Sequence, residues 1–387
     1  MAAKITFFNV GNGDMTLIRL ESGRTILIDV RIRAAADDQD DDETRDVAKD
    51  LRDRLVRDKE GRLYVDAYLQ GHPDADHCTG LQEHLHIGSP EDFNKKDDKI
   101  FIREIWSSPI VFRRADKTLK LCDDAKAFWT EARRRVKRYR DSKGDVGEGD
   151  RILILGEDQD GKTDDLTAIL IKVDQIITKV NGTVDSSFSA YLLGPLPKAT
   201  DESEEDALAK NRSSVILQMT IASGGVSDAC LFLTGGDAEV AIWERQWKKH
   251  QKKPGVLEYD LLQAPHHCSW RSLSYDSWSM LREKAKVNAE ARKALGQARK
   301  GATIVASSDP IKDDDNDPPC IRAKREYEEV VKEPKGEFIC VGEHPTSDDP
   351  EPLEFEITKD GTTRKLKRMN APAIITGAIG GQPLRHG

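Results

Sequence analysis

Three times along this chain an apolar run of strand length stops at a cluster of histidine and aspartate: "YLQGHPDADH" (68–77), "LFLTGGDAE" (231–239) and "LLQAPHHCS" (261–269). Short apolar runs that end at Gly, Pro or Asp read as buried strands. In layered α/β proteins, sites assemble beyond the ends of such strands. A fold for this chain therefore has to carry three strand ends, far apart in sequence, to a common edge.

The flanking pattern fits that demand. "KITFFNV", "MTLIRL" and "GRTILIDV" read as strands joined by the turns "GNGD" and "ESG". Val47, Leu51 and Leu55 recur every four residues among charges over 44–58, which predicts an amphipathic helix, and "RLYVDAYLQ" is the strand leading into the first cluster. From 88 to 212 the pattern weakens into a charged loop (91–99), a strand "KIFIREIW", a basic helix (122–143), a strand "RILIL" and an acidic loop "DESEED". These short, scattered apolar runs read as an irregular insertion in the core fold rather than a separate domain. Regularity returns with a hairpin, "SSVILQMTI" and "ACLFLTGGD", and a helix over 238–250. The strand "YDLLQAP", a long helix over 271–297, the strand "ATIVASS", a helix near 320–333 and the strands "EFICVG" and "LEFEIT" follow. The expected architecture is α/β (α+β), one domain over 1–370 with its insertion at about 88–212, then a Gly-rich flexible tail over 371–387.

Composition narrows the function classes. The charged fraction is 33%, and no apolar run approaches the ~20 residues that cross a bilayer, so no membrane role is expected. "MAAKITFFNVGNGD" lacks the basic and apolar regions of a secretion signal, which makes a cytoplasmic location the default. Cysteines 78, 122, 230, 268, 320 and 340 form no CxxC pair and are expected as thiols. A net charge of -9 disfavours a chain that binds nucleic acid over its whole surface. The charge is uneven, however: "DDQDDDE" (37–43) is acidic and "EARRRVKRYR" (131–140) is basic. The basic stretch, with Tyr139 and nearby Trp129, is a candidate surface for DNA or RNA, or else a solvated helix face.

His72, Asp74, Asp76 and His77 form H-x-D-x-D-H. In extended chain, positions i and i+2 face the same way, so His72 and Asp74 can grip one cation while a turn brings Asp76 and His77 to a second. Imidazole with carboxylate suits Zn²⁺ or Mn²⁺ better than Ca²⁺. The plainer alternative is a polar turn with a capping Asp. Asp237 after its glycine pair reads, taken alone, as a helix N-cap. His266 and His267, adjacent and beside Ser269, close the third cluster. Their common placement at strand ends is what speaks for a shared site.

Taken in order, "FFNVGNGDMTLI", "ILIDV", "GHPDADHCTGL", "LTGGDAE" and "APHHCS" resemble the metallo-β-lactamase fold, in the branch of the hydrolase domain of ComEC/Rec2-type DNA-uptake proteins. The resemblance covers roughly 1–87 and 213–345. It implies an αββα sandwich with a dinuclear metal site at its edge. It places His72 and Asp74 at the first metal, Asp76 and His77 at the second, Asp237 as the bridging acid and His266 as the late histidine ligand. A further first-metal histidine usual in the family is not evident; His84 and His86 lie in the presumed next helix and are not assigned. Asp14 matches an acid of the first motif, orienting the site or serving a turn. Asp317 and Cys320 of "DPPC" stand where the family often carries another histidine. Cys78 and Cys268 flank the ligands, as neighbouring thiols or as small apolar filler.

The resemblance further implies two divalent cations, Zn²⁺ first and Mn²⁺ second, about 3.5 to 4 Å apart and bridged by a hydroxide of pKa near 7. Asp76 would aim that nucleophile, and His267 would donate a proton to the leaving group, hold the substrate oxyanion or orient a ligand. A phosphodiesterase or nuclease is the expected activity. Hydrolysis of a phosphocholine ester, lactam or lactone, and a catalytically silent partner-binding module, are the alternatives.

Overall fold

The computed structural model describes residues 2–38, 44–112, 121–157, 161–197 and 210–365. The tail expected over 371–387, the "DESEED" loop and most of the acidic run lie outside them. Strands β1 (Ala3–Phe7), β2 (Thr16–Arg19), β3 (Thr25–Ile28), β4 (Tyr64–Gln70), β5 (Phe101–Ser107), β6 (Arg151–Leu155) and β7 (Leu170–Ile171) form most of one mixed sheet, which β17 (Leu353–Thr358) and β18 (Gly361–Arg364) extend beyond β1. The order β18-β17-β1-β2-β3-β4-β5-β6-β7 is antiparallel up to β3 and parallel from β3 onward. The second sheet runs β16-β15-β14-β13-β12-β11-β8. Its members are β8 (Ile176–Ile177), β11 (Phe188–Gly194), β12 (Ile216–Ser223), β13 (Val226–Thr234), β14 (Tyr259–Gln263), β15 (Ala298–Ala306) and β16 (Glu337–Cys340). A two-stranded ribbon of β9 (Lys179–Val180) and β10 (Thr183–Val184) stands apart.

Alternation along the strands sets the layers. Leu17 and Leu27 point into one core, with Val47 and Leu51 of helix α1 (Val47–Arg52) and Phe128, Ala132 and Val136 of helix α2 (Asp123–Asp141). Ile18, Ile26 and Ile28 point to the other face, where they meet Leu217, Met219 and Phe232 of the second sheet. That sheet's far side, through Ile216, Leu233 and Leu262, packs on helices α3 (Val240–His250), α4 (Ala289–Leu295) and α5 (Ile321–Lys332). The period-2 pattern thus gives each sheet two apolar faces, and helices cover the outer two.

Two expectations need correction. The middle segment is not irregular: β5, β6 and β7 continue the first sheet in parallel, and β8 and β11 extend the second. Its strands are short, and their pairing lies with partners distant in sequence, so periodicity within the segment understates it. The helix expected over 271–297 is interrupted. Ser274 Oγ accepts from Asp276 N–H and donates to the Lys286 carbonyl, holding a loop before Asn288 caps α4 at Glu290 and Ala291. Ser, Asp and Asn side chains compete with the helix ladder for backbone groups, and here they win.

Candidate metal centre

The three sequence clusters meet where β4, β13 and β14 end, joined there by the end of β3. Leaving β3, Asp29 adopts φ 55°, a left-handed conformation that Asp tolerates better than most residues. Its Oδ1 accepts the Gly71 N–H at 2.6 Å and its Oδ2 takes His77 Nδ1 at 2.8 Å. A Cβ at Gly71 would lie 3.0 Å from that same carboxylate, so glycine permits the close approach. Gln70 Nε2 donates to the carbonyls of His72 and His77, tying the loop into a compact turn. The "GNGD" loop closes over it, Asp14 N–H donating to the Asp76 carbonyl at 3.1 Å. A Cβ at Gly13 would sit 2.6 Å from that carbonyl oxygen, which explains a glycine there.

The histidine corner is strained. His266, His267 and Cys268 have φ values of 53°, 53° and 68°, each costing about 1–3 kcal/mol for a residue with a Cβ. His266 N–H donates to the Gly236 carbonyl at 2.9 Å, knotting the corner to the loop that carries Asp237, and Cys268 anchors it in the core beneath. The conformation turns both imidazoles toward one carboxylate.

That carboxylate, Asp237, is buried, and its two oxygens face different partners. Oδ1 lies 2.9 Å from His77 Nε2 and 3.5 Å from His267 Nε2; Oδ2 lies 3.7 Å from both His72 Nε2 and His266 Nε2. Asp74 reaches His72 Nε2 at 3.2 Å, Asp76 reaches His267 Nε2 at 3.3 Å and Asp14 reaches His267 Nδ1 at 3.3 Å. Two ligand groups result, Asp14–His77–Asp237–His267 and His72–Asp74–Asp237, each with its donor atoms within 4.8 Å of one another. Ser214 Oγ, at 3.2 Å from His72 Nδ1, leaves His72 Nε2 aimed inward.

The electrostatics are those of a crowded cluster. Burial alone would raise Asp237, yet His77, His267 and His72 hold it well below the usual carboxylate range. Burial works against a charge on His77, but Asp237 and Asp29 raise it well above ordinary histidine; against the same burial, His267 is pushed up to about 10 by Asp14 and Asp237. Despite their near carboxylates, both ring nitrogens of His267 and the Nδ1 of His266 are buried without a hydrogen bond. Buried polar atoms are nearly always paired, so these orphaned nitrogens mark a place built for something else. Imidazole nitrogens and carboxylates converging in this way can hold a metal ion.

All seven residues expected from the sequence, His72, Asp74, Asp76, His77, Asp237, His266 and His267, come together here. His267 stands fully enclosed among the ligand atoms. Asp14 joins the same group. Asp29 is the residue that spacing misses; its one signal is an acid ending a strand, as Asp237 does. His84 instead meets Arg52, and His86 the Ser89 carbonyl. Asp317 accepts from Ser269 Oγ and Trp270 N–H, and Cys320 and Cys268 are buried in the outer core. Cys78 faces the Cys122 sulfur at 3.3 Å rather than the ligands.

Most cations of the basic stretch 131–140 lie beside an acid. Arg135 is buried against Glu131 and donates to the carbonyls of Arg151 and Ile102. Arg134 pairs with Glu131 and Asp150, Arg138 with Asp150, Lys137 with Asp141 and Arg140 with Asp165. Arg133 donates to the Val111 carbonyl. No protein-family model matches the chain, and no curated protein matches it either. Among the described residues no helix is long and apolar enough to cross a membrane.

Proposed function

We propose that this chain is a metal-dependent hydrolase of the metallo-β-lactamase fold, and that it cleaves a phosphodiester. The observation that carries the reading is Asp237, a buried carboxylate whose two oxygens face separate sets of histidine and aspartate donors. Two divalent cations, zinc or manganese, shared across Asp237 would supply a nucleophile from water at neutral pH and offset charge developing on a phosphoryl oxygen.

The chain's own residues do the rest. Asp237 positions both donor sets at once, with His72, Asp74 and His266 toward one oxygen and His77 and His267 toward the other. Asp29 fixes the ring of His77 through Nδ1, so that Nε2 is turned toward Asp237. Asp76, 3.3 Å from His267 and at the groove edge, is placed to accept a proton from an attacking water. Most cations of the basic stretch on the helix 123–141 face acids of the helix or of later loops, so the preference for a phosphodiester rests on the donor set and the family resemblance.

The test is a metal analysis of purified protein followed by an activity panel on bis-p-nitrophenyl phosphate, linear and circular DNA, and RNA. Bound zinc or manganese with phosphodiester cleavage abolished in H72A supports the reading. Absence of metal, together with activity indifferent to H72A, would overturn it. Cleavage of bis-p-nitrophenyl phosphate with every nucleic acid intact would narrow the substrate to small phosphodiesters.

A further inference from the structure

We propose that Arg31 and Arg33 form an anion-binding rim that seats a substrate phosphate against the Asp237 cluster. This rests on the metallohydrolase reading and names the feature that would select a phosphodiester over a neutral ester.

The rim follows from the chain's path beyond β3. Val30 N–H donates to the His77 carbonyl at 3.1 Å and Ile32 N–H to the Thr79 carbonyl at 2.8 Å, so the segment runs alongside the metal-site loop. Extended chain alternates its side chains. Val30 and Ile32 go to the core, while Arg31 is half-buried and Arg33 exposed. Both arginines line a groove of about 590 Å³ whose other walls include Asp74, Asp76, Thr79 and Cys122. The two arginines and two acids of the metal cluster therefore share one open space.

The state of the guanidiniums sets them apart from those of the basic helix. Arg31 faces the carboxylates of Asp76, Asp309 and Asp14, but its Nη1 is buried without a hydrogen bond. Neither Arg31 nor Arg33 makes a side-chain hydrogen bond or ion pair among the described residues. Guanidinium donors left unused at the rim of a cluster whose Asp14 and Asp74 face the candidate metal positions are matched by a ligand bringing its own oxygens. A phosphodiester does so, and the planar fork of Arg favours two oxygens at once. A separate cavity of about 380 Å³ holds Arg212 and Arg271, but Glu239, Asp276, Asp315 and Asp317 outnumber them there, so it suits an anion poorly.

The test uses the full chain reconstituted with zinc or manganese, and the variants R31M, R33M and R31K. Inorganic phosphate binding is measured by calorimetry, cleavage of bis-p-nitrophenyl phosphate by steady-state kinetics, and metal content by elemental analysis. The expected result is unchanged metal content, phosphate affinity weaker by about 10-fold or more in R31M and R33M, and a KM for the diester raised in step while kcat moves about threefold or less. R31K should recover only part of the loss. Phosphate affinity at the wild-type level in both methionine variants at full metal occupancy would overturn the rim. If R31M sheds metal, R33M decides, since Arg33 is exposed: wild-type phosphate affinity there overturns the proposal. Should the wild type bind phosphate through these arginines yet cleave no phosphodiester, the rim stands and the hydrolase reading falls. Should it cleave the diester with the variants unaffected, the reverse holds.

Discussion

The loop 71–80 and the helix 123–141 are both dense in charge, and they treat that charge oppositely. On the helix, cations and acids lie one turn apart or meet acids of neighbouring loops, and Arg135 is sealed beside Glu131. Around the loop, by contrast, several imidazoles and carboxylates converge on Asp237 within a few ångströms, and the nitrogens that His266 and His267 bring to the same cluster are left buried without a hydrogen bond. Pairing of opposites is the mark of a structural brace, whereas crowding of donors costs stability unless a cation relieves it. Charge density alone does not distinguish a site from a scaffold; the balance of donors and acceptors does.

The largest expected effect comes from breaking the convergent region. Asp237→Asn keeps the volume but removes the shared charge, so metal content should fall and phosphodiester cleavage should drop by more than the ~10–100-fold typical of outer-partner changes, with the protein still folded. Metal analysis and kinetics on one preparation check both. Full metal content in D237N would make Asp237 a structural turn residue after all.

Next comes the opposite break. Glu131→Ala leaves Arg135 buried without its carboxylate and should cost about 3–5 kcal/mol in urea unfolding, while metal content per folded chain stays unchanged. A loss under about 1 kcal/mol would mean that the carbonyls of Arg151 and Ile102 suffice to hold the guanidinium.

How much of this was legible in the sequence follows from the same contrast. The three strand-end clusters and the strands before them were readable, because a period-2 run and the polar residue that ends it lie within a few positions. The alternation of Leu17 with Ile18, and of Leu27 between Ile26 and Ile28, carried the two-sided burial. What sequence could not show was pairing across long separations. Asp29 meets Gly71 and His77 only once β3 and β4 are neighbours, and a single acid has no spacing to betray it. The same limit hid the ion pairs of the basic stretch: Asp150 and Asp165, which meet Arg134, Arg138 and Arg140, come from later loops. It also hid the two-residue β7 and the fact that β5 and β6, though readable as strands, continue the first sheet.

A third prediction compares two buried acids. Asp237 is held down by the imidazoles around it, whereas Glu104 on β5 is pushed up to about 7 by burial, which outweighs the Gly182 N–H it accepts and the nearby Arg151. Folding raises the pKa of Glu104, so between about pH 4.5 and 7 the unfolded chain sheds a proton that the folded chain keeps. Stability should therefore fall as pH rises through that window and stay lower above it. Glu104→Gln should remove the slope, gaining up to about 3 kcal/mol at pH 8 and little below pH 4.5. Parallel stability-versus-pH curves for the two proteins check this, and curves of equal slope would show that Glu104 keeps an ordinary carboxyl pKa in the fold.

The smallest effect is expected at the exposed edge of the helix. Lys137 and Arg140 form solvent-facing pairs with Asp141 and Asp165, and such pairs contribute about 0–1 kcal/mol. K137E combined with R140E should therefore leave stability nearly unchanged. Since both charges already face acids, it should also shift the affinity of the metal-loaded chain for a single-stranded oligonucleotide by less than about twofold at fixed salt. The salt dependence is the sharper readout. Each strand phosphate that a cation ceases to neutralise flattens the log–log slope by about 0.7, so a slope shallower by about 1.4 in the double variant would mean that both cations touch the strand. An unchanged slope would mean that neither cation touches the strand.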